Sequence, residues 1–252
     1  MKNPLTWVGG KSRIADAIVE HMPLGPFVYH EPFAGALNVY FELHKRGRIE
    51  TAFLSDTCKP LIDFWKAIKG SPYYFDTINI ENSADRFAKE RLKVGIDPVA
   101  FWYVNRCGFN GLWRTNKSGG CNVPWGHGTK PFETSRYDYH EASKRLASAT
   151  ITACDYETSI AIADDRSVIY CDPPYDGTFN GYDGTKSFDQ RRLADALKSS
   201  GATWFLSSSD TLLIRELYSE FRFIPIVTRY SVAADGLSRE VTELLITNHE
   251  VK

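Results

Sequence analysis

Short apolar runs alternate with segments of helical spacing at both ends of the chain. Phe27-Val28-Tyr29-His30 and Thr51-Ala52-Phe53-Leu54-Ser55 are rich in residues that suit a pleated, buried surface. Similar runs lie near 150–154, 167–171, 202–207, 222–228 and 241–247. Between most of them the spacing predicts helices, near 36–46, 156–163, 188–200 and 210–219. That rhythm predicts an α/β fold, a largely parallel sheet with helices on both faces. A loop rather than a helix separates the last two strands, so they are expected to form an antiparallel hairpin at the sheet edge.

The middle of the chain, about 57–145, breaks the alternation. It reads as helices over 58–69, 84–93 and 97–106, then a run from Asn105 to Trp125 dense in hydrogen-bonding and aromatic side chains. There Asn116-Lys117-Ser118-Gly119-Gly120 separates Gly111-Leu112-Trp113-Arg114-Thr115 from Cys121-Asn122-Val123-Pro124. A loop of that kind between short apolar runs predicts a β-hairpin. Its side chains suit a nucleic-acid groove, and a plain surface hairpin covering the helices is the alternative.

Composition narrows the class. The 252 residues are 43% hydrophobic with six Trp, enough for one large domain or a core with an insertion. No early segment reads as a signal peptide, and the apolar runs are too short to span a bilayer, so a cytoplasmic protein is expected. Five cysteines without Cys-x-x-Cys spacing argue against a disulfide framework or a zinc site. The net charge of −1 hides an asymmetry: residues 86–145 hold 11 Lys/Arg against 5 Asp/Glu, leaving 19 against 26 elsewhere. A basic middle in an acidic frame is the footprint of a polyanion partner, although a solvated helical face also carries charge.

The candidate chemistry sits at strand ends. Val168-Ile169-Tyr170-Cys171 runs into Asp172-Pro173-Pro174-Tyr175. Proline cannot continue a ladder, so the strand stops and leaves Asp172 and Tyr175 where open α/β sheets bind ligands. A carboxylate, a carbonyl and a flat ring suit an aromatic amine; a strand-ending turn is the bland alternative. Trp7-Val8-Gly9-Gly10-Lys11 combines a ring, two glycines and a cation. Gly10-Lys11-Ser12 mimics the end of a phosphate-binding loop, but Leu5 stands where that motif requires glycine. Glu31-Pro32-Phe33-Ala34-Gly35-Ala36 follows the first sheet strand, and Asp56 ends the next. A glycine turn with an acid about 20 residues on suits a nucleoside cofactor, while the missing G-x-G-x-x-G disfavours a dinucleotide.

Taken in order, Trp-x-Gly-Gly-Lys, Glu-Pro-Phe-x-Gly, the acid at the second strand end, Asn-Arg-x-x-Phe-Asn-Gly-x-x-Arg-x-Asn with Asn-Val-Pro-x-Gly, and Asp-Pro-Pro-Tyr resemble the Dam-type family. These are D12-class DNA N6-adenine methyltransferases that use S-adenosylmethionine, and the resemblance spans about 6–247. It implies a Rossmann-like methyltransferase fold with an inserted helical and β-hairpin recognition subdomain. Residues 1–56 and 146–252 would form the catalytic part and 57–145 the insertion. Trp7, Gly9, Lys11, Phe33, Gly35, Asp56, Asp155, Tyr156 and Asp172 would surround the cofactor. Asp172, Pro173 and Tyr175 would hold a flipped adenine, with Phe179, Tyr182 and Phe188 in a following loop. Asn110, Leu112, Arg114, Asn116 and Pro124 would meet DNA, Arg114 as a bidentate guanine reader and Arg106 on phosphate. The partner would be duplex DNA, the site GATC-like, and the protein a monomer without a metal. Two departures stand out: Leu37 replaces a usual second glycine, and Thr6 stands where some relatives carry a lysine. A non-catalytic DNA-binding module, a methyltransferase for another acceptor, and an oxidoreductase are the competing classes.

Overall fold

The computed structural model describes the chain except residues 77–80, 117, 129–136, 178–187, 232–237 and 251–252, and omits the side chains of 228–231 and 238–241. Phe179 and Tyr182 therefore lie outside the described residues. The strands are β1 (Phe27–Glu31), β2 (Ile49–Asp56), β3 (Ala149–Ala153), β4 (Ser167–Cys171), β5 (Thr203–Ser208), β6 (Arg222–Ser231) and β7 (Ser238–Thr247). They form one sheet in the order β3-β2-β1-β4-β5-β7-β6.

The first five strands are mutually parallel. β7 runs antiparallel to both β5 and β6. The expected hairpin is present, but its second strand is the inner one: β7 slots between β5 and β6, and β6 takes the edge.

β4 shows why its sequence is apolar throughout. All five of its residues are buried. Because side chains alternate, Val168 and Tyr170 enter one core with Tyr29, Phe205 and Leu245. Ile169 and Cys171 enter a second with Trp204, Leu206, Leu244 and Ile246. A strand covered on both faces has no polar side to show.

The helices are α1 (Ala15–Glu20), α2 (Asn38–Lys45), α3 (Lys59–Gly70), α4 (Ala84–Lys93), α5 (Pro98–Cys107), α6 (Tyr139–Leu146), α7 (Tyr156–Ala161), α8 (Gln190–Ser199) and α9 (Leu212–Leu217). α3 starts with proline in its first turn and buries Leu61, Ile62, Phe64, Trp65 and Ile68. It touches β2 and β3 on one side and α5 and α6 on the other. α5 is capped by Asp97, whose carboxylate accepts from Val99 N at 2.8 Å, and is buried from Ala100 to Asn105. Phe64, Phe101, Trp102 and Tyr139 join the sheet residues in one continuous core. The middle of the chain thus grows out of the sheet's covering layer.

Candidate active site and nucleic-acid interface

The chemistry gathers at the carboxyl ends of β1, β2 and β4, where the strand order reverses. Beyond Cys171 the chain turns at its two prolines, and neighbouring helices pin the turn. Gln190, in the first turn of α8, donates Nε2 to the Pro174 carbonyl at 2.8 Å. Thr211, the N-cap of α9, donates Oγ1 to Asp176 Oδ2 at 2.7 Å, and Ser209 Oγ donates to the Asp176 carbonyl at 3.0 Å.

Asp172 and Tyr175 then meet Lys11. The Lys11 ammonium lies 2.7 Å from Asp172 Oδ1 and 5.0 Å from the Tyr175 ring centre, and donates to the Gly9 carbonyl at 2.8 Å. A tight turn brings it there: Gly10 N donates to the Trp7 carbonyl at 3.0 Å, and Gly9 has φ +76°. A Cβ on Gly10 would come within 3.0 Å of the Trp7 carbonyl oxygen, so close backbone approach needs glycine here. The P-loop resemblance of this segment thus has another physical meaning: its cation faces a carboxylate.

A fourth member of this cluster was not foreseen. Glu243 of β7 accepts the Tyr175 hydroxyl at 2.7 Å and lies 3.5 Å from Lys11 Nζ. The available signal is an acid heading the apolar run Leu244-Leu245-Ile246, at the same parity as the core residue Leu245. Burial pushes the Asp172 carboxyl up from its ordinary range, and the Lys11 ammonium opposes that rise. Glu31, at the end of β1, is buried and accepts the Tyr29 hydroxyl at 3.0 Å. Burial, and then the nearby Asp172 charge, push its carboxyl well above the usual range.

Next to this cluster lies the β1 turn. Gly35, at φ +45°, donates its N–H to Asp56 Oδ2 at 3.2 Å and accepts Trp65 Nε1 at 2.9 Å. A Cβ on Gly35 would stand 3.0 Å from Trp7 Cδ1, so the indole lies against bare backbone. Asp56 Oδ1 accepts from Cys58 N at 2.9 Å, and burial raises its carboxyl to about 6. Leu37, the departure from the family pattern, caps α2 at φ +55°. That conformation costs a non-glycine residue about 1–2 kcal/mol. Full burial of the side chain, worth about 1.5–3 kcal/mol, offsets it.

Phe33 stacks on Tyr156 at 5.3 Å, and Phe188 closes on both rings at 5.8 and 5.6 Å. Asp155 caps α7 by accepting from Glu157 N at 3.0 Å and pairs with Arg192 at 3.2 Å. The Arg192 guanidinium also covers the Tyr156 ring at 5.1 Å. Trp7, Lys11, Phe33, Gly35, Asp56, Asp155, Tyr156 and Asp172 therefore border one end of the sheet. Arg192 is a further member that no motif announced.

After α5 the chain makes a one-turn 3₁₀ helix, Phe109–Gly111, with Asn110 at φ +53°. The expected hairpin appears as a ribbon held by the bridges Gly108 to Trp125 and Thr115 to Cys121 rather than by a continuous ladder. Its tip is shaped by Asn116, whose Oδ1 accepts from Ser118 N at 3.1 Å and Gly120 N at 2.9 Å. Trp113 and Val123 point into the core, while Asn110, Arg114 and Asn116 are exposed, and Leu112 and Pro124 are half-buried. Arg114 Nε donates to the Asn122 carbonyl at 3.1 Å. A Cβ on Gly111 would touch Thr6 Cγ2 at 2.9 Å, so the segment before Lys11 lies beside this ribbon.

Arg106 has a different occupation from the phosphate contact expected of it. Its Nε donates to the Pro4 carbonyl at 3.0 Å and its Nη1 to Thr6 Oγ1 at 2.6 Å, while Nη2 reaches the carbonyls of Asn3, at 3.3 Å, and Pro4. Its guanidinium also lies over the Tyr137 ring at 4.2 Å. Asn105 makes the neighbouring tie, donating to the Thr6 carbonyl at 2.7 Å. Together these two residues hold the strip that leads to Trp7 and Lys11.

Such a sheet, with its inner reversed strand, carries a charged and aromatic cluster at the carboxyl ends of its parallel strands. The model of the D12 class N6 adenine-specific DNA methyltransferases matches residues 7–232. The retron Ec67 DNA adenine methylase of Escherichia coli is 31% identical over 264 residues, covering 97% of this chain and 90% of that one. The DNA adenine methylase of Escherichia coli K12 is 32% identical, covering 96% and 93%. A solved precorrin-6y C5,15-methyltransferase from Geobacter metallireducens GS-15 is similar at a TM-score of 0.42 and 7% identity, covering 92% of this chain and 84% of that one. The chain belongs to the D12 class of N6 adenine-specific DNA methyltransferases.

Proposed function

We propose that the protein transfers a methyl group from S-adenosylmethionine to N6 of an adenine flipped out of duplex DNA, at a GATC-like site. The observation that carries this reading is Asp172 held 2.7 Å from Lys11 and beside the Tyr175 ring, at the strand end bordered by Gly35 and Asp56. The residues present fit the cofactor. Phe33, Tyr156 and Phe188 form an apolar aromatic group suited to a purine. The Asp56 carboxylate receives backbone N–H groups that include those of Gly35 and Cys58, and its two oxygens keep acceptor capacity for a ribose hydroxyl. When bound, S-adenosylmethionine supplies a methyl carbon already activated by a sulfonium centre.

Adenine N6 is a poor nucleophile because its lone pair is delocalised into the ring. Asp172 and the Pro173 carbonyl accept its two N–H bonds, while the Pro174 carbonyl is already taken by Gln190. As the nitrogen becomes tetrahedral and gains positive charge, these acceptors stabilise it more than they stabilise the flat ground state. After the C–N bond has formed, the excess N6 proton leaves by way of Asp172 to solvent. Tyr175 stacks the extruded base for about 1–3 kcal/mol, against a few kcal/mol of unstacking.

Outside the pocket, Asn110, Leu112, Arg114, Asn116 and Pro124 read or touch the duplex, and 57–145 serves as the recognition insertion. Thr6, beside Gly111, sits where an outer base pair would be met. The protein acts as a monomer on DNA in the cytoplasm. Among the described residues, no helix is long and apolar enough to cross a membrane. Transfer of labelled methyl from S-adenosylmethionine to a duplex with one GATC, against the same duplex with the adenine replaced, tests the reading. Long-read detection of N6-methyladenine in DNA from expressing cells gives the site; absence of label in adenine overturns the proposal.

A further inference from the structure

Glu243 is a buried carboxylate that the chemistry above leaves unemployed. Its residue is 8% exposed, and it faces the core side of β7 where an apolar side chain would pack without losing hydration. Lys11 has three N–H bonds to place. One goes to the Gly9 carbonyl at 2.8 Å and one to Asp172 Oδ1 at 2.7 Å. Glu243 Oε2, which also accepts the Tyr175 hydroxyl, lies 3.5 Å from the ammonium, inside ion-pair range and outside hydrogen-bond range. The ammonium is therefore shared by two carboxylates and committed to one of them.

That commitment conflicts with the adenine amino group, which requires Asp172 as its acceptor. With Asp172 as the sole counter-ion, the incoming base would strip a buried cation of its partner. We propose that Glu243 is a positioning residue for methyl transfer: it takes over Lys11 as the target amino group claims Asp172, and it holds Tyr175 by its hydroxyl. This rests on the reading of Asp172 as the N6 acceptor. A small shift of Lys11 toward β7 exchanges one anionic partner for the other, so the cation is never left unpaired in the pocket. Glu243 carries its charge to the site from a strand that enters the sheet from the opposite direction.

The test is single-turnover methyl transfer at saturating duplex, with DNA affinity and melting temperature measured alongside. Glu243→Gln keeps an acceptor for the Tyr175 hydroxyl and removes only the charge, so its rate should fall at least about tenfold while DNA affinity stays within about twofold. Glu243→Asp restores the charge one methylene short and should fall between, at least about threefold from each of the other two. A folded Glu243→Gln protein with a rate within about twofold of wild type overturns the role, as does a loss explained wholly by DNA affinity. Should Glu243→Gln fail to fold, Glu243→Asp decides, and a rate within about threefold of wild type overturns the proposal. Asp172→Ala in the same assay separates the two ideas. If it is active, the acceptor reading fails; if it is dead while Glu243→Gln is normal, only the role of Glu243 fails.

Discussion

The two surfaces proposed to act on DNA are built in opposite ways. Around Asp172 the side chains are buried or half-buried and already paired with one another: Lys11, Tyr175 and Glu243 join Asp172 in one cluster. Along the ribbon from Phe109 to Trp125, Asn110, Arg114 and Asn116 face solvent, and the contacts that shape it are largely backbone ones. Chemistry on a weak nucleophile needs acceptors that do not have to reorganise at the moment of transfer. Reading a duplex needs donors that are satisfied only by the right base edge. Internal pairing helps the first surface and would blunt the second.

The contrast can be broken at four points. Asp172→Ala should lower methyl transfer by at least about a thousandfold, since it removes the principal acceptor. Cofactor binding by calorimetry should persist, and retained activity would remove the chemical role from the buried end. Lys11→Met should destabilise the fold by about 2–4 kcal/mol in denaturant titration, because it leaves the buried Glu243 and the half-buried Asp172 without their cation. Lys11 is also the group that holds Asp172 down. Without it, Asp172 ionises only at higher pH, and the acid limb of the rate should move upward in any residual activity. A limb that stays in place would assign it to another group.

Arg114→Ala should relax discrimination at one base pair by about 1–3 kcal/mol and leave the melting temperature unchanged. Equal losses on every sequence would make Arg114 a phosphate contact. The smallest effect belongs to Asp56. Its folded-state value of about 6 exceeds the ordinary 3.8, so the folded chain binds this proton more tightly than the unfolded one. The associated stabilisation is present at low pH and lost as pH rises through about 6. Discounted for partial exposure, it amounts to about 1 kcal/mol. Melting of Asp56→Asn against wild type at pH 4 and pH 8 should show the variant gaining relative stability at the higher pH.

Much of the buried surface was legible in sequence, because local rules and global fold agree there. Every strand was foreseen from its apolar run, and β4 most plainly, since burial on both faces leaves a continuous apolar stretch ending at proline. The glycines of the Trp7–Lys11 turn and of Gly35 pointed to close backbone approach, and both turns have it. What escaped depends on contacts between distant residues. Arg106 ends a helix in a basic stretch and so looks like a phosphate ligand, yet its donors close on Asn3, Pro4 and Thr6, about a hundred positions away. Glu243 escaped because nothing local says that β7 enters between β5 and β6. Gln190 and Arg192 act through the start of α8, whose position only the packed sheet defines. The hairpin was expected where the ribbon lies, and isolated bridges rather than strands hold it, because Gly108, the 3₁₀ turn and the Asn116 tip each interrupt regular pairing.

The inner position of β7 has a consequence for the newborn chain. Residues 238–247 follow all the other strands along the chain, yet they fill an interior place in the sheet. Until they arrive, β5 offers an open flank and β6 has no neighbour to join it to the rest. A chain made only as far as β6 holds Lys11, Gly35, Asp56 and Asp172 and still lacks the carboxylate that accepts the Tyr175 hydroxyl.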